Sequence, residues 1–393
     1  MKKILLLIAL SVYIVSCGVP QVVRRDYSGY VWPTPPEKPR IQLLNVIATD
    51  QDFRKPSMSE RLFGEETFFA FRKPHGIVAD TRGNIYVSDS ALAEVFILNP
   101  ENGTIRRLFN PYGYSLPLGL AYDDTLNWVA VADAGKKTVY VVDVTRWKLQ
   151  LVIGQRGEFK RPVAVAFDSA RKRIYVADTI LHKIRVFDLY GKHLFDIGGK
   201  GAAPGKLYFP TGLTVDKEGN LYVVNSFNFR FDIFTPEGKF IKSIGSHGDV
   251  IGMFARPKDI ALDSEGHIYV TDAAFNNFQI FDKEGRVYLF VGVGGIAPGT
   301  FSNIYSIYID KNDKIYVTDQ TNRRIQIFKY ISYPEEKMAP IGQKPQTEET
   351  PPQIEQEAQT EETPQVEQGS SAEQQPEQPE EDLQEEVLEE EEL

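Results

Sequence analysis

The chain has 393 residues, 42% of them hydrophobic and 12% aromatic, with a formal net charge of −10. That is enough apolar content for a sizeable core, and a single cysteine excludes an intramolecular disulfide, so stability has to come from packing. The charge is uneven: residues 334–393 carry 20 acidic side chains against Lys337 and Lys344, a net of −18 that leaves +8 for residues 1–333.

At the N-terminus, Lys2 and Lys3 precede the apolar run Ile4–Val15, and the small residue Ser16 precedes Cys17. This order of charge, apolar core and small residue predicts an export signal over residues 1–16. The run is shorter than the roughly 20 residues that span a bilayer. Loss of the signal would take Lys2 and Lys3 with it and leave +6 on the mature body. Residues 17–39 contain Pro20, Pro33, Pro35, Pro36 and Pro39 and read as an extended tether.

From residue 40 to 333 one pattern recurs. Its clearest copies start at Pro162 (PVAVAFD…RIYVAD…KIRVFD), Pro210 and Pro257, with weaker ones at Pro74 and Pro117 and a sixth at Asn303. The second segments close on Asp89, Asp133, Asp178, Asn225, Asp272 and Asp319, at spacings of 44, 45, 47, 47 and 47 residues. So steady a period marks a repeat architecture. Each unit holds four short runs of alternating β-branched and aromatic residues divided by turn residues. The expectation is an all-β, six-bladed β-propeller with four-stranded antiparallel blades. The sixth unit supplies only three strands before the tail begins. Arg40–Ala48 (RIQLLNVIA) is therefore expected to close the ring as the outer strand of the blade containing Asp319. After about Pro334, Glu, Gln, Pro and Thr dominate without aromatics, which predicts a disordered acidic tail over 334–393.

Three resemblances follow from these residues. Ile14-Val15-Ser16-Cys17 resembles a bacterial lipobox, which implies a lipid on Cys17 and a membrane tether; Gly18 in the next position favours the outer membrane. The Pro-x-Gly-Ile-x-x-Asp…Ile-Tyr-Val-x-Asp…Arg-Ile-x-x-Phe pattern over roughly 70–330 resembles the NHL repeat, and the whole arrangement resembles bacterial NHL-repeat lipoproteins. The stretch from Pro74-His75-Gly76-Ile77 to Val95-Phe96 is similar to one blade of peptidyl-amidoglycolate lyases, a resemblance that implies histidine-bound zinc and structural calcium. The equivalent positions of other blades hold Leu118, Val163, Thr211 and Lys258, and His182, His193, His247 and His267 sit at unrelated repeat positions, so a three-histidine zinc site is not expected. A sugar-lactonase-like hydrolase, with an axial metal bound by carboxylates and amides, is the second enzymatic reading, but no distinctive early Glu or clustered axial Asn set anchors it in this sequence.

The repeated aspartates are expected to cap turns. No cofactor is expected, with calcium or zinc entering only under an enzymatic reading, and the balance weighs against an enzyme. The leading expectation is a noncatalytic cell-envelope lipoprotein that presents its propeller to an envelope protein. Its alternative is an extracytoplasmic metal-dependent hydrolase or lyase with an axial site. Candidate partner-binding residues lie in loops after second strands: Lys136, Lys137, Lys183, Phe227, Phe229, Arg230, Phe275, Asn276, Arg323 and Arg324. Phe159, Phe209, Phe254 and Phe301 are expected to pack between blades. A mild +6 does not call for nucleic acid, and nothing calls for more than a monomer.

Overall fold

A computed structural model describes residues 25–54, 69–333 and 341. The expected signal peptide, Cys17 and the acidic tail other than Ile341 lie outside the described residues. Six antiparallel sheets follow one another along the chain. Their first strands are Pro74–Ala79, Pro117–Asp123, Pro162–Asp168, Pro210–Val215, Pro257–Leu262 and Ile304–Ile309, opening blades 1 to 6 in that order. Each first strand contacts those of the two neighbouring blades, and the first strand of blade 6 contacts that of blade 1, so the six form a closed ring around an axis. The chain is an all-β six-bladed propeller.

Closure is made by the segment the repeat count leaves over. Ile41–Ile47 pairs antiparallel with Arg324–Tyr330, from Ile41 opposite Tyr330 to Ile47 opposite Ile325, and so supplies the outer strand of blade 6. Val31–Trp32 pairs onto Ile41–Ile47 and makes this sheet five-stranded. Joining the two ends of the folded body in one sheet prevents the ring from opening without breaking a ladder.

The core is divided into interblade slabs. One contains Val186 and Ile184 of blade 3 with Leu213 and Val223 of blade 4; another joins Phe278 and Ile280 of blade 5 to Ile307, Val317 and Phe328 of blade 6 and to Leu43 of the closing strand. A bulky residue in the preceding linker plugs each of several blades. Phe159, Leu207, Phe254 and Phe301 fill this place, with exposures of 2%, 0%, 0% and 0%. The last three press on glycines of positive φ: a Cβ on Gly198, Gly245 or Gly292 would stand 2.5 Å from Leu207, Phe254 or Phe301. Phe209 also packs between blades, joining blade 3 to blade 4, but in a different place. The residue equivalent to the other plugs is Leu207, and Phe209 lies two positions later, packed on His182 and Phe227.

The aspartates closing the second strands hold the linkers. Asp89 accepts from the amides of Arg72 (2.7 Å) and Lys73, Asp133 from Ser115 (2.8 Å) and Leu116, and Asp272 from Ala255 (2.8 Å) and Arg256. Asn225 replaces the carboxylate in blade 4 for a visible reason. Its Nδ2 donates to buried Asp232 at 2.6 Å while its Oδ1 accepts from the Tyr208 amide, a pair of roles that one aspartate could not fill beside another. Among the described residues, no helix is long and apolar enough to cross a membrane.

Candidate active site at the axis

Every first strand slips register just after its opening residue. The shifts fall between Pro74 and Ile77, Pro117 and Leu120, Pro162 and Ala164, Pro210 and Leu213, Pro257 and Ile260, and Ile304 and Ile307. A bulge re-aims the side chains it carries. Here it occurs once per blade and at one height on the ring. The residues following the opening position are His75, Leu118, Val163, Thr211, Lys258 and Tyr305, and the next are Gly76, Gly119, Ala164, Gly212, Asp259 and Ser306.

The glycines of the second set are a packing requirement. A Cβ at Gly76 would lie 2.3 Å from the Leu118 carbonyl, at Gly119 2.5 Å from that of Val163, and at Gly212 2.4 Å from Asp259 Oδ1. Adjacent bulges are also tied by hydroxyls. Ser88 donates to the Leu118 carbonyl (2.5 Å), Thr179 to Pro210, Ser226 to Pro257, Thr271 to Tyr305 (2.6 Å) and Thr318 to His75 (2.9 Å). Strand ends that elsewhere fray are thereby fixed around the axis, and a rigid support is what an oriented site needs.

Inside the ring lies a cavity of about 220 Å³, lined by all six first strands. Its polar lining is concentrated in blades 4, 5, 6 and 1, as Thr211, Asp259, Tyr305, Ser306 and His75, while blades 2 and 3 contribute mostly apolar groups such as Leu120, Val163 and Val165. His75 is 7% exposed, its ring 3.9 Å from that of Tyr305, and its Nδ1 is buried without a hydrogen-bond partner. Thr211 Oγ1 is likewise buried and unpartnered. Burial, reinforced by the positive charges of Lys258, Lys73 and Arg161, pushes the His75 imidazole down to about 3 and keeps it neutral. Asp259 behaves oppositely. Burial raises its carboxyl to about 6, although Oδ2 accepts from Ser306 Oγ (2.6 Å) and the Ile307 amide and Oδ1 accepts from the Ile260 amide. Lys258, 5% exposed, places its ammonium 5.4 Å from the centre of the Tyr305 ring. One neutral imidazole, one carboxyl that titrates near neutrality and one buried ammonium thus meet at the ring.

This donor set does not fit a metal. Asp259 is the only carboxylate lining the cavity and already accepts three hydrogen bonds, and His75 is the only imidazole there. No group of three or more His, Cys, Asp or Glu able to hold an ion exists among the described residues. The other histidines serve elsewhere: His182 Nδ1 accepts from the Phe209 amide, His193 meets Asp196 at 2.7 Å, His247 packs on Phe229 and His267 meets Asp263 at 2.7 Å.

The loop residues singled out in the sequence are spread over several blades, and most take part in the framework. Lys137, Phe229, Asn276 and Arg323 occupy the same left-handed turn position before the third strand, with φ of 54°, 53°, 53° and 53°. Lys136 donates to the carbonyls of Tyr112 and Gly113, and Lys183 pairs with Asp196 at 3.4 Å. Phe227 packs on Tyr208 and Phe209, and Phe275 donates its amide to Asp272. Arg230 is paired with Asp232 at 2.9 Å. Arg324 requires correction as a surface contact: it is 8% exposed and bonds Asp319 (2.7 Å) and the carbonyls of Ile296, Ala297 and Thr300.

Comparison with known proteins agrees with this geometry. Residues 62–255 match the family model described as SMP-30/Gluconolactonase/LRE-like region, and residues 263–344 match one described as a 6-bladed beta-propeller. No curated protein matches. Among solved structures, a gluconolactonase from Xanthomonas campestris is 15% identical, with a TM-score of 0.52 over 66% of this chain and 87% of its own. A virginiamycin B lyase from Staphylococcus aureus solved with quinupristin is 12% identical, with a TM-score of 0.50 over 67% and 84%. An auxiliary nutrient binding protein from Bacteroides thetaiotaomicron is 13% identical, with a TM-score of 0.53 over 66% and 69%. The chain is a six-bladed propeller related in fold to gluconolactonase- and lyase-like proteins. The expectation that weighed against an enzyme is thereby overturned, because its basis was the want of a recognisable family motif, whereas the fold is one that named lactonases and lyases share.

Proposed function

We propose that the chain is a hydrolase or lyase of small molecules whose reaction takes place in the axial cavity, with His75 and Asp259 as its acid–base pair. The observation that carries this reading is the His75 imidazole, buried at the axis with Nδ1 unpartnered, in the same cavity as a carboxyl whose proton is held up to about pH 6. Strongly perturbed groups gathered in one cavity are a hallmark of acid–base chemistry.

In a hydrolytic turn, neutral His75 takes a proton from water as its oxygen adds to a carbonyl carbon. The carbon–oxygen bond then breaks and the departing oxygen receives the proton of Asp259. Solvent afterwards removes a proton from His75 and returns one to Asp259. A lyase would use the same pair, His75 removing a proton from carbon and Asp259 protonating the leaving group. No step is routed through a metal, in keeping with the donor set.

The export signal and lipid on Cys17 belong to the same proposal and would place this NHL-like propeller outside the cytoplasm, tethered to a membrane, with the outer membrane favoured by Gly18. Cys17→Ser should move the protein from the membrane to the soluble fraction. A screen of lactones and small esters tests the chemistry. Turnover by the wild-type chain should fall by about 10² or more in both His75→Gln and Asp259→Asn; turnover that survives both substitutions overturns the axial assignment.

A further inference from the structure

The linkers that carry the chain into blades 4, 5 and 6 are three copies of one short hairpin. Each starts from a glycine of positive φ (Gly198, Gly245 or Gly292) and closes on its plug through a parallel bridge, Lys200 with Leu207, His247 with Phe254 or Gly294 with Phe301. Each is also pinned to the third strand of the blade it enters. Arg230 donates to the carbonyls of Ala202 (3.1 Å) and Ala203, Gln279 accepts from the Gly252 amide (2.8 Å), and Gln326 accepts from the Gly299 amide (2.8 Å). The backbone of the tips is thus held, yet the tips expose apolar side chains. Ile296 is 83% exposed and Val250 56%, and Ile251, Val293 and Pro204 are exposed with them. Because the tips repeat in three consecutive blades, they form one arc along an edge of the propeller face. The other linkers are of another kind: Gln155 and Arg156 are exposed in the one into blade 3, and Tyr112 in the one into blade 2 stacks on Tyr140. A run of exposed apolar side chains on a rigid frame marks a contact surface for a protein or a membrane.

The N-terminal segment indicates which. Tyr30 and Trp32 pack on the last of the three hairpins: a Cβ at Gly299 would stand 2.6 Å from the Trp32 ring and 3.7 Å from that of Tyr30. Tyr27 is buried in the slab between blades 5 and 6. The chain therefore enters the folded body at this end of the arc. Cys17 precedes Arg25 by eight residues, a stretch that spans at most roughly 30 Å when fully extended. The three hairpins also expose Lys200, Lys206 and Arg256 against one acidic residue, Asp249.

We propose that this arc is a membrane-docking surface, its apolar tips set into the headgroup boundary of the bilayer that holds the lipid of Cys17. This rests on the lipid tether proposed above and adds the face by which the propeller meets the bilayer. Isoleucine and valine gain by leaving water at that boundary, and the excess of basic residues suits an anionic leaflet. The short tether keeps the arc at high effective concentration over the surface, so a few side chains suffice.

The first test uses the full chain in the membranes of the expressing cell, with a photoreactive phenylalanine analogue replacing Ile251, Ile296 or Arg156 in turn. Lipid adducts, read by mass spectrometry, should form at Ile251 and Ile296 and not at Arg156. Adducts equal at all three positions overturn the proposal, as do adducts at the arc with a second copy or another protein in place of lipid. Flotation with vesicles of phosphatidylethanolamine and phosphatidylglycerol separates the arc from the tether. The mature chain from residue 17 carrying Cys17→Ser should still float. Adding Ile251→Glu and Ile296→Glu, at exposed positions where folding is not at stake, should reduce the bound fraction about tenfold, since each replaces an apolar side chain by a charge. Flotation that ignores the two glutamates overturns the docking surface. Lipid absent from Cys17 with arc-dependent flotation would sink the tether and uphold the arc, whereas a lipidated chain without arc-dependent flotation would do the reverse.

Discussion

The Ser306 hydroxyl donates to Asp259 Oδ2 at 2.6 Å and so joins blade 6 to blade 5 at the axis through a carboxyl that burial drives toward neutrality. Because the folded-state value, about 6, lies above the ordinary carboxylate value, the folded protein holds this proton more firmly than the unfolded chain does. The contribution to stability is complete below the ordinary value and is lost as pH rises through about 6. Asp259→Asn removes this dependence. The stability of the variant relative to wild type should therefore improve between pH 4.5 and 7.5, by about 1–2 kcal/mol once partial accessibility is allowed for. Urea unfolding at the two pH values measures it, and a difference that is flat or of opposite sign contradicts the assignment.

His75 predicts the opposite slope. Its folded-state value is lowered to about 3, so the unfolded chain binds the proton first and the stability present above the ordinary value of 6.5 is lost as pH falls toward 3. Thermal unfolding of His75→Gln should show a shallower loss of stability below pH 6.5 than the wild type. Identical acid limbs would place the imidazole in solvent.

Asn225→Asp would set a second carboxylate against Asp232, at the place where Asn225 Nδ2 now donates over 2.6 Å. Both positions are fully buried. The substitution should cost about 2–4 kcal/mol at pH 7 and less at pH 5, where one of the pair can take up a proton. Denaturation midpoints at both pH values decide the matter. An unchanged midpoint would show that the blade tolerates the charge and that the amide has another purpose.

Ile41 is fully buried at the start of the closing strand, opposite Tyr330. Ile41→Asp places an unpaired carboxylate in the slab between blades 5 and 6 and should cost more than 3 kcal/mol. Hydrogen exchange should then rise first in Ile41–Ile47 and Arg324–Tyr330. Protection that stays intact in both strands would mean that closure does not depend on this contact.

The blades were legible because everything that forms them is local. Alternation within Ile174–Ala177 or Ile268–Asp272, glycines such as Gly83 and Gly266 in the turns, and the aspartates closing second strands all act within one repeat or across one linker. Even the closing strand followed from arithmetic, since a sixth blade with three strands needs a fourth and Arg40–Ala48 resembles the outer-strand segments Thr104–Phe109 and Leu149–Ile153.

The site was half visible. The positions of His75, Leu118, Val163, Thr211 and Lys258 align in the sequence, but a single histidine among the five gives no zinc site. Tyr305, Asp259 and Ser306 carried no such signal, because the sixth copy opens without a proline and because Asp259 and Ser306 stand where the first four blades have glycine or alanine. Loop residues drew attention instead, and Arg324 shows why charge alone misleads: only its surroundings turn it from a surface cation into a buried tie to Asp319.

The amino-acid sequence by itself determined the blade count, the strand order and the point of closure, since each follows from a period near 47 residues and from turn chemistry of short range. Only the tertiary structure decided that one residue from each blade, some 45 positions from the next in the chain, would meet around a single cavity. That convergence removes water from His75, Lys258 and Asp259, and desolvation depends on neighbours that the linear order does not reveal.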